Sequence, residues 1–365
     1  MKIAEIRKLL EDFAPLKFQA QYDNAGLLTG SNNWEVNGIL ITIDVTEEVV
    51  EEALEKGDNL IVSHHPVIFN GIKSLTDKTL TERILVKAIK NDIAIYAAHT
   101  NLDNIFEGVN KKICDKLGLV NCRILEPAKD KLVKLVTFVP ESHAEKVREV
   151  MFSAGAGHIG NYDCCSFNAS GKGTFRGEEG TNPFVGKPGK LRFEDEIRIE
   201  TIVSKEKLNG CITAMIEAHP YEEVAYDIYP IENEYSKIGA GMTGEFKTPV
   251  SHKAFLELLK KTFDIPVIRY SGALKKEYKK IAVCGGAGSF LLKKAIQENS
   301  DVFLTSDIKY HQFFDAEQKI LFCDIGHYES EQFTKELFYE LLIEKISTFA
   351  VHLSSIVTNP IKYFI

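Results

Sequence analysis

The sequence contains few cysteines, and their spacing gives no sign of a structural role. The chain of 365 residues has seven, an odd number, and none forms a C-x-x-C pair, although Cys164 and Cys165 are adjacent. Disulfide frameworks use paired cysteines, and thiolate zinc sites use closely spaced ones. Neither is indicated, so we expect most of the cysteines to be reduced, buried and apolar in behaviour.

Long apolar runs and an excess of positive charge are also missing. The longest uninterrupted apolar run, Ile93 to Ala98, is far shorter than the roughly 18 residues of a membrane helix, and the charged amino terminus lacks the apolar segment of a secretory signal. The 44 Lys and Arg residues stand against 52 Asp and Glu, a net charge of −8. That balance disfavours binding of duplex nucleic acid through its phosphates. We therefore expect a cytoplasmic protein with no membrane partner.

Short apolar runs alternate with helix-like segments near both ends of the chain. Six such runs are present: Gly38 to Ile43, Asn59 to Ser63, Ile93 to Ala98, Ile281 to Cys284, Asp301 to Thr305 and Ile320 to Cys323. Helices are predicted between them, at Thr46 to Lys56, Leu80 to Asn91, Phe290 to Glu298 and Glu331 to Lys345. The alternation predicts an α/β protein with βαβ units around a mostly parallel sheet, in three layers.

The middle of the chain has a different pattern. Strand-like alternation at Leu132 to Val139 is followed by a helical segment, a glycine-rich stretch, further alternation at Arg192 to Val203, a second helical segment and a last strand at Val224 to Ile231. This order is typical of a ferredoxin-like α+β domain. We therefore predict a discontinuous α/β domain formed by residues 1–126 and 238–365, with an inserted ferredoxin-like domain at residues 127–237.

Histidines and carboxylates gather directly after the predicted strands. His64 and His65 end one strand, His99 ends another with Asp103 four residues later, and a third is followed by His327 and Glu331. The carboxyl ends of parallel strands meet at one crevice, where such folds bind ligands. One helical turn separates His327 from Glu331, so both can reach a common ion. The Pro66 that follows His65 lets the backbone turn, so both adjacent rings can face the crevice.

This set of donors indicates a metal site. Three imidazoles and two carboxylates exceed what one four-coordinate ion takes while keeping a position open, and they suit two divalent ions about 3.5 to 4 Å apart. Such mixed ligands favour Zn, Mn, Fe, Co or Ni over Mg or Ca. Taken singly, a histidine at a strand end is more often structural, and a His/Glu pair on a helix is more often solvated. His99 is the weakest candidate ligand, because it could instead orient Asp103 or a ligand.

Other polar groups at strand ends have a less certain role. Asp44, Asp307, His311, Asp23 and Asn24 occupy such positions, where Asp and Asn often cap helices or form turns. The segment CGGAGS, Cys284 to Ser289, could bind phosphate through its backbone amides, although it lacks the complete dinucleotide-binding fingerprint and tight packing alone can require glycine. In the insert, His219, Glu222 and Glu223 are interpreted as part of a helix-to-strand turn, with metal binding the alternative.

Several motifs together resemble one known family. The segments YDNAGLL, SHHP, HTNLDN, CGGAGS, TSDIKYHQ, GHYESE and TNPIKYF, with GKGTFRGEEGTNPFVG and HPYEEVAYDIYP in the insert, are similar to the Nif-three-like dinuclear-metal proteins. Those proteins are widely named GTP cyclohydrolase 1 type 2 homologs. The sequence departs from the family pattern at Tyr22, where Trp is usual, and at Ser306, where Gly is usual. Neither change removes a ligand.

The resemblance implies a site, an assembly and an insert type. The implied metal ligands are His64, His65, Asp103, His327 and Glu331, with Glu331 bridging two ions and His99 outside the ligand set. The resemblance also implies a toroidal homohexamer with metal sites facing an internal cavity. The insert would belong to the PII and CutA type of ferredoxin-like domain.

Two classes of function follow from these expectations. The first is a metal-dependent hydrolase that acts on a nucleotide such as GTP through a metal-activated water. In that case His99, Asp307 or His311 would transfer protons, and Asn24 with the amides of Gly285, Gly286 and Gly288 would bind the substrate or its phosphates. The second is a metal-binding, metal-delivery or regulatory ring protein without turnover, and the insert could sense a small molecule.

Overall fold

The structure is a computed structural model that describes residues 1–272 and 274–364. The chain forms two compact units, one made of Met1–Pro127 and Lys237–Ile365, the other of Ala128–Ser236. No helix in these described ranges combines the length and apolar character needed to cross a membrane. Each unit is an α/β structure with its own sheets, so the mixed α/β class predicted from the sequence is confirmed.

The elements of the chain, in order, share a pattern of short strands and amphipathic helices. Before the second unit they are α1 (Ile3–Phe13), β1 (Gly26–Thr29), β2 (Gly38–Thr42), α2 (Glu47–Lys56), β3 (Leu60–Ser63), α3 (Leu80–Lys90), β4 (Ala94–Ala97), α4 (Thr100–Asp103), α5 (Val109–Lys116) and β5 (Val120–Ala128). The second unit contains β6 (Leu132–Pro140), α6 (Ala144–Ser153), β7 (Ser166–Phe175), β8 (Arg192–Ser204), α7 (Leu208–Ala218) and β9 (Tyr226–Pro230). The chain then continues with β10 (Tyr235–Ser251), α8 (His252–Phe263), β11 (Arg269–Gly272), β12 (Glu277–Val283), α9 (Leu292–Gln297), β13 (Val302–Thr305), β14 (Leu321–Asp324), α10 (His327–Glu331), α11 (Thr334–Lys345) and β15 (Ala350–Leu353).

The first unit contains two sheets, where the sequence predicts one. Strands in the first sheet follow the order β1-β4-β3-β2-β15, and strands in the second follow β11-β14-β13-β12-β10-β5. Strands β4, β3, β2 and β15 are parallel, as are β12, β13 and β14, while β1 and β11 pair antiparallel at the edges. The apolar runs before and after the second unit thus pair only among themselves, because each group is a consecutive set of βαβ crossovers.

Helices cover these sheets through apolar stripes. In the first sheet, Leu40, Ile61 and Ile95 pack with Val49 of α2 and Ile84 of α3. Thr46 caps α2 by accepting a hydrogen bond from the Val49 amide, and Gly57 ends that helix in the left-handed conformation. The two helices therefore fix the positions of strands β2 to β4, whose carboxyl ends carry the candidate site.

The second unit has a single antiparallel sheet. Its order is β7-β8-β6-β9, with the connections β6-α6-β7 and β8-α7-β9. Its core joins Leu135 and Ile199 of the sheet to Val147 and Met151 of α6 and Met215 of α7. The glycine-rich stretch between Phe175 and Arg192 contains no strand or helix, which agrees with its composition.

Candidate metal centre

The register of the first sheet brings two strand ends side by side. Ser63 of β3 is paired with Ala97 of β4, so His64 and Ala98 are the next residues on neighbouring strands. The Ser63 hydroxyl donates to the carbonyl of His65 at 2.9 Å, which turns the backbone before Pro66. As a result the adjacent rings of His64 and His65 do not point to opposite faces, and their centroids lie 4.9 Å apart.

His64 is buried and faces two carboxylates. Its Nδ1 donates to the Ala98 carbonyl at 3.0 Å. Its Nε2 lies 3.7 Å from Asp103 Oδ1 and 3.7 Å from Glu331 Oε1. Asp103 is the last residue of the short helix α4 after β4, and Glu331 is the last residue of α10 after β14. Three segments that are distant in sequence therefore contribute to one cluster.

His65 and His327 face the other oxygen of the same carboxylate. Nε2 of His65 lies 3.0 Å from Glu331 Oε2, and Nε2 of His327 lies 3.2 Å from it. The two Nε2 atoms are 3.3 Å apart. His327 begins α10 after Gly326, whose φ of +86° is a conformation that glycine adopts readily. Each oxygen of Glu331 thus has its own imidazole partners.

Carboxylates outside the cluster hold three of the imidazoles. Nδ1 of His65 donates to Asp44 at 2.7 Å, and Nδ1 of His327 donates to Asp307 at 2.6 Å. Such contacts place the proton on Nδ1 and leave the Nε2 lone pair for a ligand, as outer partners do in metalloproteins. Asp44 in turn accepts from Thr358 at 2.6 Å, so the carboxyl-terminal segment supports the site.

His99 is arranged in the same way. Its Nδ1 donates to Asp23 at 2.8 Å, and Thr100 donates to the same carboxylate through its amide at 3.0 Å. Burial raises the pKa of Asp23, but the hydrogen bonds from His99 and Thr100 outweigh it and hold the pKa at about 2. The His99 ring lies 5.3 Å from the rings of both His64 and His65. His99 is therefore within reach of the cluster.

Two buried polar atoms in the cluster have no hydrogen-bond partner among the described residues. They are His64 Nε2 and Asp103 Oδ1. Leaving such atoms unpaired in a protein interior costs about 1–3 kcal/mol each. Two sets of ligand atoms fall within 4.8 Å of one another, those of His64, His65 and His99 and those of His65, His327 and Glu331. Imidazole nitrogen and carboxylate oxygen are transition-metal ligands, so the residues present fit such ions.

The acidity of the cluster reflects its buried charge. Burial and the Glu331 charge raise the pKa of Asp103. Burial opposes ionisation of Glu331 as well, but the surrounding imidazoles hold its pKa well below the usual range. Burial lowers the pKa of His65, yet its contacts with Asp44 and Glu331 raise it to about 10. Unlike charges thus lie close together, as at many functional sites.

The imidazole with no carboxylate on its Nδ1 behaves differently. His64 is fully buried, and burial lowers its pKa. For His327, burial also lowers the pKa, but Glu331 and Asp307 raise it to about 9. His64 is therefore suited to remain neutral, the form in which imidazole binds a metal ion.

The other predicted residues have varied positions. Asp307 contacts His327 and is half exposed. His311 is exposed and its ring contacts Tyr310, so the structure does not bring it into the cluster. Asn24 donates its side-chain amide to the Ile68 carbonyl at 2.7 Å, which ties two loops together. Of these, only Asp307 touches a candidate ligand.

The amides of the glycine-rich turn are already engaged. Gly285 donates to Asn110 at 3.0 Å, Gly286 to the Ser330 hydroxyl at 3.0 Å and Gly288 to the Thr305 hydroxyl at 2.8 Å. A phosphate could accept from these three amides only by displacing protein oxygens. The glycines instead permit close packing, because a Cβ on Gly286 would lie 2.3 Å from Glu331 Oε1.

In the second unit, the His219 cluster follows the turn interpretation. His219 Nε2 donates to the Phe138 carbonyl at 3.1 Å, and its Nδ1 accepts from the Tyr221 amide at 3.1 Å. Both ring nitrogens are therefore used. Glu222 accepts from the Asn182 amide at 3.0 Å. These contacts fix the helix-to-strand turn.

Sequence reasoning identified the polar strand ends but not all of their roles. It treated Asp23 and Asp44 as turn or cap residues, whereas they hold His99 and His65. It gave no role to Thr358. The only local signal was that Asp44 directly follows a strand. The pairings themselves join segments up to 314 positions apart, and no single stretch of sequence encodes them.

The cluster opens into a cavity of about 820 Å³ in the first unit. His65, His99, Asp103, His327 and Glu331 lie in its wall. A volume of this size accommodates a small-molecule ligand, since such pockets typically measure about 300–1,000 Å³. The site can therefore bring a ligand of that size to the imidazole and carboxylate groups.

Comparisons with known proteins agree on one family. The model of the Duf34/NIF3 (NGG1p interacting factor 3) family matches residues 1–360. A GTP cyclohydrolase 1 type 2 homolog from Halalkalibacterium halodurans is 43% identical over 371 residues, with both chains covered completely. The Bacillus subtilis protein of the same name is 39% identical, covering 91% of this chain and 89% of its own.

Solved structures give the same picture. A Bacillus cereus protein related to NIF3 is 39% identical, with a TM-score of 0.87 over 100% of this chain and 99% of that chain. A Staphylococcus aureus protein is 32% identical, with a TM-score of 0.79 over the same shares of the two chains. The similarity thus extends through both units of the chain.

Proposed function

The chain belongs to the Duf34/NIF3 family, and from that premise we propose that it binds two divalent transition-metal ions and acts as a metal-dependent hydrolase on a nucleotide. The proposed ligands are His64, His65, Asp103, His327 and Glu331. The relatives' name, GTP cyclohydrolase 1 type 2 homolog, makes GTP the candidate substrate to test first.

One observation carries the proposal. His64 Nε2 and Asp103 Oδ1 are buried, lie 3.7 Å apart and have no hydrogen-bond partner in the described part of the chain. A cation between these atoms would satisfy both. The two oxygens of Glu331 face different imidazoles, which supports a bridging role for this carboxylate. The choice among Zn, Mn, Fe, Co and Ni is a matter for measurement.

The protein groups around the ligands have defined tasks. When bound, two divalent ions would supply Lewis acidity and lower the pKa of water towards neutrality. Asp44 and Asp307 hold the rings of His65 and His327 with Nε2 turned inward. His99, held through Nδ1 by Asp23, can accept or release a proton at Nε2 beside the cluster. His311 has no task in this proposal, because it lies outside the cluster.

A turnover assay tests the hydrolase function. Protein reconstituted with each metal is assayed with GTP and with a panel of phosphodiesters, beside a Glu331→Gln variant whose folding is verified by circular dichroism. Metal-dependent turnover by the wild type and its loss in the variant are expected. Equal product release by both proteins would refute the hydrolase proposal.

The engaged amides of the glycine-rich turn favour a second function, metal storage or delivery without turnover. The groups that would bind metal are present, whereas the turn amides that could bind phosphate donate to Asn110, Ser330 and Thr305. Tight metal binding with no turnover of any nucleotide, together with metal transfer to an apo-acceptor, would support this alternative over hydrolysis.

The second unit and the assembly complete the proposal. We infer a ferredoxin-like fold of the PII and CutA type for the second unit, because its strand order β7-β8-β6-β9 and its two crossing helices follow that plan. A toroidal homohexamer in the cytoplasm is also proposed. Light scattering should then give six times the chain mass of 41.0 kDa.

A further inference from the structure

The cavity beside the metal centre has an unusual charge for a nucleotide site. None of the described residues that line it is Lys or Arg. The charged groups in its wall, histidines aside, are Asp44, Asp103 and Glu331. Sites for phosphate groups usually offer arginine, lysine or several backbone amides. Here the nearest amides, those of Gly285, Gly286 and Gly288, donate to protein oxygens instead.

Metal ions would not reverse this balance. The cluster and its outer partners contain five carboxylates, those of Asp23, Asp44, Asp103, Asp307 and Glu331. The positive charge of two divalent ions does not exceed the charge of these five groups. A nucleoside triphosphate carries several negative charges near neutral pH, so most of its charge would remain uncompensated in the cavity.

The rest of the wall offers aromatic surface. Tyr22, Phe69 and Phe290 line the cavity and are 75%, 52% and 67% exposed, respectively. Phe69 also contacts the edge of His99, with 5.9 Å between ring centroids. Exposed aromatic rings around a metal cluster are suitable for stacking on a flat heterocycle, an interaction that depends little on charge.

These observations point to one substrate class. We propose that the cavity binds a nucleoside or nucleoside monophosphate, with its base stacked on Phe290 or its aromatic neighbours and its polar end at the metal ions, and that it does not select a triphosphate. This inference rests on the proposed hydrolase and narrows its substrate. It differs from the expectation of GTP drawn from the relatives' name.

Equilibrium dialysis tests the inference on the full-length, metal-loaded protein. The probes are the four ribonucleosides with their monophosphates and triphosphates, at about 50 and 300 mM salt. Metal content is measured after each titration, so that removal of metal by a triphosphate is not counted as binding. We expect at least one nucleoside to bind, its triphosphate to bind no more tightly, and the nucleoside affinity to change little with salt.

Two aromatic variants localise the binding. Phe290→Ala should weaken nucleoside binding about tenfold or more through lost stacking. Phe314→Ala should leave it unchanged, because Phe314 is also exposed, at 65%, but does not line the cavity. Light scattering of both variants shows whether Phe290 instead supports assembly, and a change of molar mass in Phe290→Ala alone would overturn the assignment of this ring to the ligand.

The remaining outcomes separate this inference from the proposed function. A triphosphate that binds more than tenfold tighter than its nucleoside, with strong salt dependence, would overturn the inference and leave the metal site intact. Binding of no nucleoside by fully metal-loaded protein would also overturn it. Failure of the wild type to retain metal would instead refute the proposed function.

Discussion

The Nε2 atoms of His65 and His327 lie 3.3 Å apart, although 262 positions separate the two residues in the chain. Glu331 Oε2 lies 3.0 Å from the first and 3.2 Å from the second. Three electron-pair donors at such distances repel one another unless a proton or a metal ion lies among them. This contact makes the metal centre testable one group at a time.

Removal of the shared carboxylate should reduce metal binding most strongly. Glu331→Gln replaces both charged oxygens with a weaker ligand, so we expect the metal content to fall from about two ions per chain to one or fewer. Elemental analysis after dialysis against metal-free buffer measures the change. Glu329→Gln is the matched control, because Glu329 is buried on the same helix but contacts Asn359 at 2.9 Å. Retention of two ions by Glu331→Gln would remove this residue from the ligand set.

The outer carboxylate of His65 should tune affinity without being a ligand itself. Asp44→Asn weakens the contact that places the proton on Nδ1, and we expect metal affinity to fall about 10- to 100-fold. Competition with a chromogenic chelator gives the affinity. Asp58→Asn is the control, since Asp58 pairs with His352 at 2.9 Å as a similar carboxylate and imidazole. Equal losses in both variants would indicate general destabilisation.

Two glycines with positive φ separate backbone strain from steric conflict. Gly286 and Gly57 have φ of +62° and +75°, and a Cβ at Gly57 meets no atom within 4 Å, whereas one at Gly286 lies 2.3 Å from Glu331 Oε1. Gly57→Ala should therefore cost only the strain, about 1–2 kcal/mol of unfolding free energy. Gly286→Ala should cost more and also lower metal content by displacing Glu331. Urea unfolding and elemental analysis distinguish the two effects, and full metal content in Gly286→Ala would contradict this expectation.

Glu52 should make stability depend on acid pH. Burial raises its pKa, but hydrogen bonds from Ser354 and Ser355 outweigh burial and hold the pKa at about 2, below the usual 4.5. A depressed folded-state pKa contributes stability above the unfolded value, and that contribution is lost as pH falls from 4.5 towards 2. Glu52→Gln should therefore lower the unfolding free energy by about 2 kcal/mol at pH 7.

The pH profile of that difference is the decisive measurement. Urea unfolding between about pH 7 and pH 3 should show a constant gap above pH 5 that narrows below it. Glu51→Gln, on the same helix but exposed and paired with Lys87, should show little change at any pH. A gap in Glu52→Gln that does not narrow in acid would show that packing, and not ionisation, explains the loss.

Local sequence was sufficient for the elements near the site. The predicted helix from Thr46 begins one residue later and ends as expected at Lys56, because Thr46 caps it and Gly57 follows. The strand ending at Ser63 and the helical spacing of His327 and Glu331 also depend on neighbouring residues alone. These patterns placed the candidate ligands at strand ends before any coordinates were known.

Tertiary structure decided which of those groups meet. The division of the strands into two sheets, the exposure of His311 and the use of the glycine amides by Asn110, Ser330 and Thr305 have no local signature. The pairings of Asp44 with His65, Asp23 with His99 and Asp307 with His327 span 21, 76 and 20 positions. A hydrogen bond needs donor and acceptor within about 3 Å, and for residues so far apart only the packing of whole strands and loops sets that distance.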